Sequence, residues 1–473
     1  MPIATVNPAT GEVLKTFDPT PDGEVDAAIG RADEAYRALR GTTVAQRGAW
    51  LTAAADLLDA EAEQIGRLMT TEMGKTLAAA KAEAAKCATA CRYYAENAAD
   101  FLADAPADAA AVGARRAFVR YQPIGPVLAV MPWNFPLWQV VRFAAPALMA
   151  GNTGLLKHAS NVPQTALWLA ELFHRAGFPA GAFATLLVGS DAVERIIADP
   201  RVRAATLTGS EGAGRSIAAA AGRHLKKTVL ELGGSDPFVV MPSADVAAAA
   251  EVATTARCQN NGQSCIAAKR FIVHTDVFDA FAEAFTVRMA KLRVGDPMDA
   301  GTDVGPLATE RGRDDVDGQV RDAVDKGARV LVGGERPDRD GWWYPPTVVT
   351  DLTPAMRMWA EEVFGPVAGL YRVSSYDEAV ELANGTALGL GANAWTRDPD
   401  EQERFATDLD AGSVFVNGMT TSYPQLPFGG VRNSGYGREL SALGMREFCN
   451  IKTVWVGEGG APAGNAGAGA HAE

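Results

Sequence analysis

The sequence has little of what marks a disulfide scaffold, a metal protein or a nucleic-acid-binding protein. Only 5 of its 473 residues are cysteine and 5 are histidine. So few cysteines exclude a disulfide framework, and the histidines show no metal-ligand spacing. The 57 acidic residues outnumber the 44 basic ones, which gives a formal net charge of −13. An acidic surface argues against general nucleic-acid binding.

The chain also lacks an uninterrupted hydrophobic run. Its longest apolar stretch, 124–156, is broken by prolines, an asparagine and an arginine, whereas a membrane-spanning helix needs about 20 mostly apolar residues. The first residues show neither the charged region nor the apolar region of a secretory signal. Because 48% of the residues are hydrophobic and 21% charged, we expect a packed, cytoplasmic protein without membrane association.

What the sequence has is an alternation of apolar strand candidates and helical segments. Strands are predicted at 127–130, 153–157, 184–188, 204–208 and 228–231, with a helix at 164–176. Such alternation predicts βαβ units and a buried parallel sheet. The length allows two or three domains. Other expected features are an alanine-rich helical region at 23–104 broken near Gly41 and Gly74, a second α/β region at 235–431, strands at 117–121 and 448–456, and a disordered Gly/Ala/Pro-rich tail at 457–473.

Three residues stand where they could carry chemistry. Glu231 ends a strand candidate just before a glycine pair, so it could reach into a cleft or simply lie at a surface turn. Cys265 follows a glycine turn. If it opens a helix its thiol pKa would be lowered, but it could equally be an inert buried cysteine. Asn134 lies between two prolines and could donate to an oxyanion or stabilise a turn.

Two further patterns are weaker. The segment 209–214 follows a strand and opens an apparent helix, and such a start can bind phosphate. It is not the dinucleotide fingerprint, so an ordinary turn is the alternative. Cys87 and Cys91 lie four apart on a helix and are expected in the core. Cys258 precedes Cys265 by seven residues, and sequence alone cannot test a disulfide between them.

Together these segments resemble the aldehyde dehydrogenase superfamily over about residues 4–456. Within it, the segments 156–161, 231–238 and 447–455 look most like bacterial succinate-semialdehyde dehydrogenases. The motifs that carry the superfamily resemblance, in its order, are Pro-Trp-Asn-Phe-Pro (132–136), Leu-Thr-Gly-Ser (207–210), Glu-Leu-Gly-Gly (231–234), Gly-Gln-Ser-Cys (262–265), Glu-Glu-Val-Phe-Gly-Pro (361–366) and Pro-Phe-Gly-Gly (427–430).

The resemblance implies an α/β fold of three parts. A Rossmann-like dinucleotide-binding domain would comprise 1–106 and 124–231, and an α/β catalytic domain would comprise 232–431. A small β flap at 107–123 and 446–456 would join copies of the chain into a homodimer or homotetramer.

The resemblance also implies a mechanism for aldehyde oxidation. Cys265 would attack the aldehyde as a thiolate. The Asn134 side chain and the Cys265 backbone N–H would bind the resulting oxyanion. After hydride transfer, Glu231 would activate the water that hydrolyses the thioester, and would also help to deprotonate the thiol.

The cofactor expectation also rests on the resemblance. NAD-specific relatives often carry a glutamate where this chain has Ser160. A small neutral residue near Lys157 tolerates a 2′-phosphate, so we expect NADP, with NAD also usable. The residues expected around the dinucleotide are Lys157 at the adenosine ribose, Ser160, Gly209 and Ser210 at the pyrophosphate, Glu362 at the nicotinamide ribose, and Phe364 and Trp133 near the ring.

For the substrate, Arg142 matches a carboxylate-binding arginine of succinate-semialdehyde dehydrogenases, and an Arg–carboxylate pair gives geometric specificity. The alternative for Arg142 is a structural ion pair. A second family arginine is replaced here by Gln259, with Arg257 nearby, and Ser422 is expected to add a hydrogen bond.

The function expected is NAD(P)-dependent oxidation of succinate semialdehyde to succinate. Three alternatives stay open: a related enzyme for another semialdehyde or a neutral aldehyde, a cofactor-free thiol hydrolase, and a non-catalytic protein on the same scaffold. The first is the strongest. The phosphate-binding loop and Glu362 weigh against the second, and the joint presence of Asn134, Glu231 and Cys265 weighs against the third.

Overall fold

Two large β-sheets and one small sheet carry most of the strands in a computed structural model that describes residues 2–458. The predicted disordered tail therefore lies almost entirely outside the described residues. The first elements of the chain are a pair of strands, four helices and two further strands. They are β1 (Ile3–Val6), β2 (Val13–Phe17), α1 (Asp22–Leu39), α2 (Val44–Ala60), α3 (Ala62–Met73), α4 (Leu77–Phe101), β3 (Ala105–Pro106) and β4 (Arg116–Pro123).

The predicted helix breaks are confirmed. The first long helix ends two residues before Gly41. Gly74 closes α3 in the left-handed conformation, with φ of 80°. The next helix begins behind Thr76, whose side chain accepts a hydrogen bond from the backbone N–H of Ala79. These caps fix where α4 starts, and one side of that helix later forms part of the site.

The second stretch builds a buried parallel sheet, as predicted. Its elements are β5 (Pro126–Val130), α5 (Trp138–Ala150), β6 (Thr153–Lys157), α6 (Pro163–Arg175), β7 (Phe183–Thr185), α7 (Val193–Ala198), β8 (Ala204–Thr208), α8 (Glu211–Arg223) and β9 (Lys227–Glu231). Strand β7 ends three residues earlier than expected, because the chain turns away and enters a short 3₁₀ helix at Ser190–Ala192.

The strand order of this sheet reverses at β5. Strands β6 and β7 lie on one side of β5, and β8 and β9 lie on the other. In an open α/β sheet, ligands bind in the crevice outside the carboxyl ends of the strands at such a reversal. The segments that leave β5 and β8 here are those containing Trp133 and Gly209.

The third stretch builds a seven-stranded sheet, parallel except for the pairing of β12 with β13. Its helices and strands, with the short β15 that pairs elsewhere, are β10 (Asp236–Val240), α9 (Val246–Cys258), β11 (Ala268–His274), α10 (Thr275–Lys291), α11 (Glu310–Asp325), β12 (Arg329–Val332), β13 (Thr347–Thr350), α12 (Arg357–Ala360), β14 (Val367–Val373), α13 (Tyr376–Asn384), β15 (Leu388–Gly389), β16 (Gly391–Trp395), α14 (Pro399–Asp408) and β17 (Ser413–Val416).

The last described elements return to the first sheet and complete the small one. They are β18 (Val431–Arg432), β19 (Gly435–Tyr436), α15 (Ser441–Glu447) and β20 (Cys449–Val456). Strand β19 pairs with β9, so that Gly435 lies opposite Glu231. Strand β20 pairs with β4 along its whole length, and β3 lies on the other side of β4. Among the described residues, no helix combines the length and apolar character that crossing a bilayer requires.

Candidate active site

A small cavity brings Cys265 together with side chains from distant parts of the chain. Its volume is about 240 Å³, below the roughly 300–1,000 Å³ of sites that hold drug-sized ligands. Such a cavity suits a small substrate. Its polar and ionisable lining residues are Lys75, Glu83, Lys86, Gln139, Arg142, Gln259, Asn260, Ser264, Cys265, Thr420, Thr421 and Ser422, and its aromatic and aliphatic ones include Phe135, Trp138, Ile266 and Phe428.

The loop before Cys265 has an unusual backbone. Asn260, Asn261 and Gly262 are three consecutive residues in the left-handed region, with φ of 56°, 57° and 74°. Only glycine adopts this conformation freely, and asparagine tolerates it better than most residues. A Cβ on Gly262 would lie 2.3 Å from the Gly365 carbonyl carbon. The turn therefore depends on this residue order, and backbone strain of this kind tends to cluster at functional sites.

Side chains of the loop stabilise it from inside. The Asn260 amide donates to the Asn134 carbonyl at 2.7 Å and to the Gln263 carbonyl at 3.0 Å. The Asn261 amide donates to the carbonyls of Gly74 and Pro306 at 2.8 and 2.9 Å. Every one of these acceptors is a backbone carbonyl, so the loop is tied to three separate segments.

A buried lysine follows the loop. Lys269 Nζ donates to the carbonyl of Ser264 at 2.8 Å and to that of Cys265 at 2.6 Å. It also lies 3.2 Å from a carboxylate oxygen of Glu362. This lysine therefore connects the backbone of the candidate nucleophile to the glutamate expected at the nicotinamide ribose.

Cys265 itself does not open a helix, contrary to the sequence expectation. It lies on a turn between the short 3₁₀ helix Gln259–Gly262 and β11. No helix N-terminus lowers its thiol pKa; instead burial raises the pKa of the half-buried Cys265 to about 12. At neutral pH the sulfur is thus a thiol, and a base must remove its proton before it can attack.

Two hydrogen-bond donors are expected to serve the sulfur, of which Asn134 is not among the residues that line the cavity. The Asn134 side-chain N–H donates to the Gln263 carbonyl at 3.2 Å, which leaves its second N–H for another acceptor. The backbone N–H of Cys265 makes no hydrogen bond to any described residue. A carbonyl oxygen bound between these two donors would be stabilised as it gains negative charge.

The segment carrying Asn134 is fixed by two buried groups. Glu83 on α4 accepts hydrogen bonds from the backbone N–H groups of Leu137 and Trp138, both at 2.8 Å. His158 lies against the carbonyl of Pro136 at 2.9 Å. Burial lowers the pKa of His158 to about 4, so the ring stays neutral. Both groups hold the segment in place, and Glu83 also lines the cavity.

Glu231 ends β9 as a buried residue, with 2% of its surface exposed. Neither of its carboxylate oxygens has a hydrogen-bond partner among the described residues. Burial raises the pKa of Glu231, and this residue is not among those that line the cavity around Cys265. An unpartnered carboxylate with a raised pKa is suited to take up a proton.

The three residues predicted to bind substrate have different surroundings. Arg142 lies on the cavity wall, but it forms a buried ion pair with Glu439, and its guanidinium is 4.6 Å from the centre of the Phe428 ring. Arg257 is fully buried and is not part of the cavity wall: it donates to the carbonyls of Val367 and Gly262. Ser422 lines the cavity.

Most of the residues expected to hold a dinucleotide lie at or after the carboxyl ends of β5, β6 and β8, and Glu362 and Phe364 come from the segment before β14. The rings of Trp133 and Phe364 meet edge to face with centroids 5.7 Å apart. Ser210 caps the N-terminus of α8 directly after Gly209. Lys157 ends β6, and burial lowers its pKa. Its ammonium forms no ion pair with a described residue, which leaves it available to a ligand oxygen.

The described residues contain no grouping of histidine, cysteine, aspartate and glutamate that could hold a metal ion. All five cysteines are free thiols. The Cys258 sulfur lies 3.5 Å from the sulfur of Met289, and Cys87 and Cys91 are buried in α4. The chemistry of the site therefore depends on one accessible sulfur.

A comparison with protein families gives a match to the aldehyde dehydrogenase family over residues 1–454. The chain belongs to the aldehyde dehydrogenase family. Curated relatives include a succinate-semialdehyde dehydrogenase [NADP(+)] of Mycolicibacterium paratuberculosis, 65% identical over the full length of both chains. Another, from Mycobacterium tuberculosis, is 67% identical over 96% of this chain and 100% of its own.

Solved structures of the family agree with the fold. A succinic semialdehyde dehydrogenase from Streptococcus pyogenes, in complex with NADP+, is 39% identical and superimposes with a TM-score of 0.94 over 96% of this chain and 100% of its own. An NAD-dependent aldehyde dehydrogenase from Sinorhizobium meliloti also has a TM-score of 0.94, at 32% identity over 98% and 93% of the two chains. The fold is thus common to enzymes that use either cofactor.

Several residues of this family member's site escaped sequence reasoning. Glu83, Lys86 and Lys269 are charged residues that sit in helical or strand patterns typical of a solvated face. His158 lies in the segment 156–161 that carries part of the family resemblance, but the sequence analysis assigned it no role. Only the pair Asn260–Asn261 gave a signal, since two asparagines before a glycine are typical of left-handed backbone.

Proposed function

We propose that this aldehyde dehydrogenase oxidises succinate semialdehyde to succinate and reduces NADP. Relatives that carry this name share 65% of its residues across the full length. The observations that carry the chemistry are a Cys265 thiol on the cavity wall whose backbone N–H has no acceptor, and a buried carboxylate, Glu231, without a hydrogen-bond partner.

The first half of the reaction forms a bond from sulfur to carbon. Glu231 takes the thiol proton, and the Cys265 sulfur attacks the aldehyde carbon. The carbonyl oxygen becomes an oxyanion between the Asn134 amide and the Cys265 backbone N–H, and each such donor supplies about 3–4 kcal/mol of transition-state stabilisation. NADP, when bound, would supply the acceptor for the hydride that leaves this carbon, and a thioester on Cys265 would remain.

The second half discharges the thioester. Glu231 releases the proton taken from the thiol to solvent and is again a carboxylate. It then removes a proton from a water molecule that attacks the thioester carbon. The carbon–sulfur bond breaks, the acid leaves, and the sulfur regains a proton. Both halves need an ionised Glu231, so its raised pKa implies activity that rises with pH.

The choice of NADP is supported by Ser160 and Lys157. Both are half-buried: Lys157 ends β6, and Ser160 lies in the turn that follows it. Ser160 brings no negative charge that would repel a 2′-phosphate, and the Lys157 ammonium offers a positive one. The N-terminus of α8 behind Gly209 would hold the pyrophosphate, while Glu362 would accept hydrogen bonds from the nicotinamide ribose.

Steady-state kinetics with an aldehyde panel and both cofactors test the proposal. We expect kcat/KM to be highest for succinate semialdehyde, and higher with NADP than with NAD, measured from the absorbance of the reduced nicotinamide. A higher kcat/KM for a neutral aldehyde would contradict the proposed substrate. A higher kcat/KM with NAD than with NADP would contradict the proposed cofactor.

We also propose that β20 joins copies of the chain into a dimer or tetramer in the cytoplasm. This strand is the edge of its sheet, and Ile451 and Trp455 on it are 65% and 51% exposed. An exposed apolar edge strand pairs readily with a second copy. Light scattering should give two or four times 49.7 kDa, and Ile451→Lys should lower that mass. A monomeric wild type would contradict this assignment.

A further inference from the structure

We propose that Lys86 on α4 is the cation that binds the substrate carboxylate, with Ser422 and Gln259 as neutral donors beside it. The inference deepens the proposed function, because it names the group that would distinguish succinate semialdehyde from a neutral aldehyde. The position of Lys86 assigns this role to a helix that none of the sequence motifs covers.

Lys86 lies half-buried in the wall of the cavity that contains Cys265. Its Nζ donates to the Ser422 hydroxyl at 2.9 Å and lies 4.2 Å from the centre of the Trp138 ring. It forms no ion pair with any described carboxylate. An ammonium group has three N–H donors, and only one of them has an acceptor here. The charge is therefore held in place by neutral groups and available to an anion.

Ser422 is oriented to donate as well. Its oxygen accepts one hydrogen bond from Lys86 and a second, at 3.0 Å, from the indole N–H of Trp138. Both bonds use the oxygen as acceptor, so the hydroxyl hydrogen remains for another acceptor. Gln259 lines the same cavity, and its buried amide nitrogen has no hydrogen-bond partner among the described residues. Lys86, Ser422 and Gln259 thus present unused donors to one cavity, as a carboxylate requires.

The other cations of the cavity are already neutralised. Arg142 is paired with Glu439, and Lys75 is paired with Glu83. A substrate carboxylate near Arg142 would have to compete with a buried carboxylate that is fixed in the fold. Near Lys86 the substrate carboxylate would meet a positive charge that has no counter-ion. Removing the carboxylate and the ammonium from water costs less free energy when the two charges neutralise each other.

The test compares two aldehydes of four carbons, succinate semialdehyde and neutral butanal, through the ratio of their kcat/KM values. In Lys86→Met we expect this ratio to fall about 10- to 100-fold, the range for losing a hydrogen bond to a charged group. In Lys86→Glu it should fall further, because the introduced charge repels the substrate. Turnover of butanal shows that each variant is folded. A further variant, Ser422→Ala, leaves the lysine in place, and in it we expect the ratio of the two kcat/KM values to fall several-fold.

The outcomes separate this inference from the proposed function. The inference would be overturned if both Lys86 variants kept the wild-type ratio of kcat/KM values. It would also be overturned if this ratio fell in Arg142→Gln but not in Lys86→Met. If the wild type instead prefers another aldehyde acid, the proposed substrate is wrong, and the ratio measured with that acid still tests Lys86. If the wild type does not prefer any acid over butanal, both fail.

Discussion

The residues around Cys265 and those around Lys86 use opposite physical means, and we call these two groups the reactive end and the anchoring end of the site. At the reactive end, the important groups are uncharged or unpartnered at rest: a thiol whose pKa burial raises to about 12, a free backbone N–H, and the buried Glu231 that is proposed to act as its base. At the end with Lys86, one charge is held between a hydroxyl and an indole ring. The reactive end depends on burial and backbone geometry, and the anchoring end on an uncompensated charge.

The difference predicts which kinetic parameter each end controls. Groups that act only on the reacting carbon change kcat for every aldehyde, since they stabilise the transition state. A group that binds a distant carboxylate changes discrimination between acids and neutral aldehydes. Variants at the reactive end should therefore affect both substrates equally, and variants at the anchoring end should not.

The largest effect is expected for the sulfur. Cys265→Ala should lower kcat by about 10⁴-fold or more for both aldehydes, because no other group can form the thioester. The matched control is Cys91→Ala, which removes a sulfur buried in α4 and should retain activity. Residual oxidation at the normal rate in the Cys265 variant would refute the nucleophile assignment.

Asn134→Ala should lower kcat about 10²- to 10³-fold, the usual cost of removing one oxyanion donor. The loss should be the same for succinate semialdehyde and butanal, because the donor faces the carbonyl oxygen and not the distant group. Initial rates with both aldehydes measure this. A loss confined to the acid would move Asn134 from the reactive end to the anchoring end.

Gly262→Ala should cost about 10²-fold in kcat, since a small misplacement of the nucleophile has effects of that size. The added Cβ would strain a left-handed residue and lie 2.3 Å from the Gly365 carbonyl carbon. In the control, Gly418→Ala, the added Cβ meets nothing within 4 Å. Equal rates in the two variants would show that the strained turn has no catalytic role.

The smallest effect is a pH dependence of discrimination in the wild type. Burial lowers the pKa of Lys86 to about 8, with the charge of Arg142 as a smaller cause. The ammonium is present below that pH and lost above it, so the acid-to-butanal ratio should fall above pH 8 by up to about tenfold per unit. The charged or titratable groups near it are Glu83, Cys87, Arg142, Lys75 and Cys265. A ratio that stays flat from pH 7 to about pH 9.5 would contradict a lysine anchor.

The sequence predicted the strands well where a continuous apolar run marks a buried strand. Strands β6 and β8 have their predicted bounds, and β5 begins one residue before its predicted start, because a strand buried on both faces reads as an apolar run. The pairing of Gly435 with Glu231 was not predictable, because β19 has only two residues and so short a strand shows no hydrophobic pattern in the sequence.

The sequence named the residues of the reactive end and, at the anchoring end, Ser422 and Gln259 but not Lys86. Cys265, Asn134 and Glu231 stand in family motifs, but the turn geometry of Cys265 corrected the expectation of a helix start. Lys86 was missed because a lysine on an alanine-rich helix looks like a solvated residue. Its role depends on which side of α4 faces Trp138 and Ser422, two residues that the fold brings from far along the chain.

The central claim is that Cys265 carries the acyl group after hydride transfer, and the Glu231→Gln variant tests it most directly. Without the carboxylate both the deprotonation of the thiol and the hydrolysis of the thioester should be slow. Samples quenched with acid after a prolonged single turnover with NADP should therefore contain little NADPH, but one succinyl group for each NADPH formed. Peptide mass spectrometry should place it on Cys265. NADPH formed without a succinyl group on that residue, or with the group on another cysteine, would contradict the account.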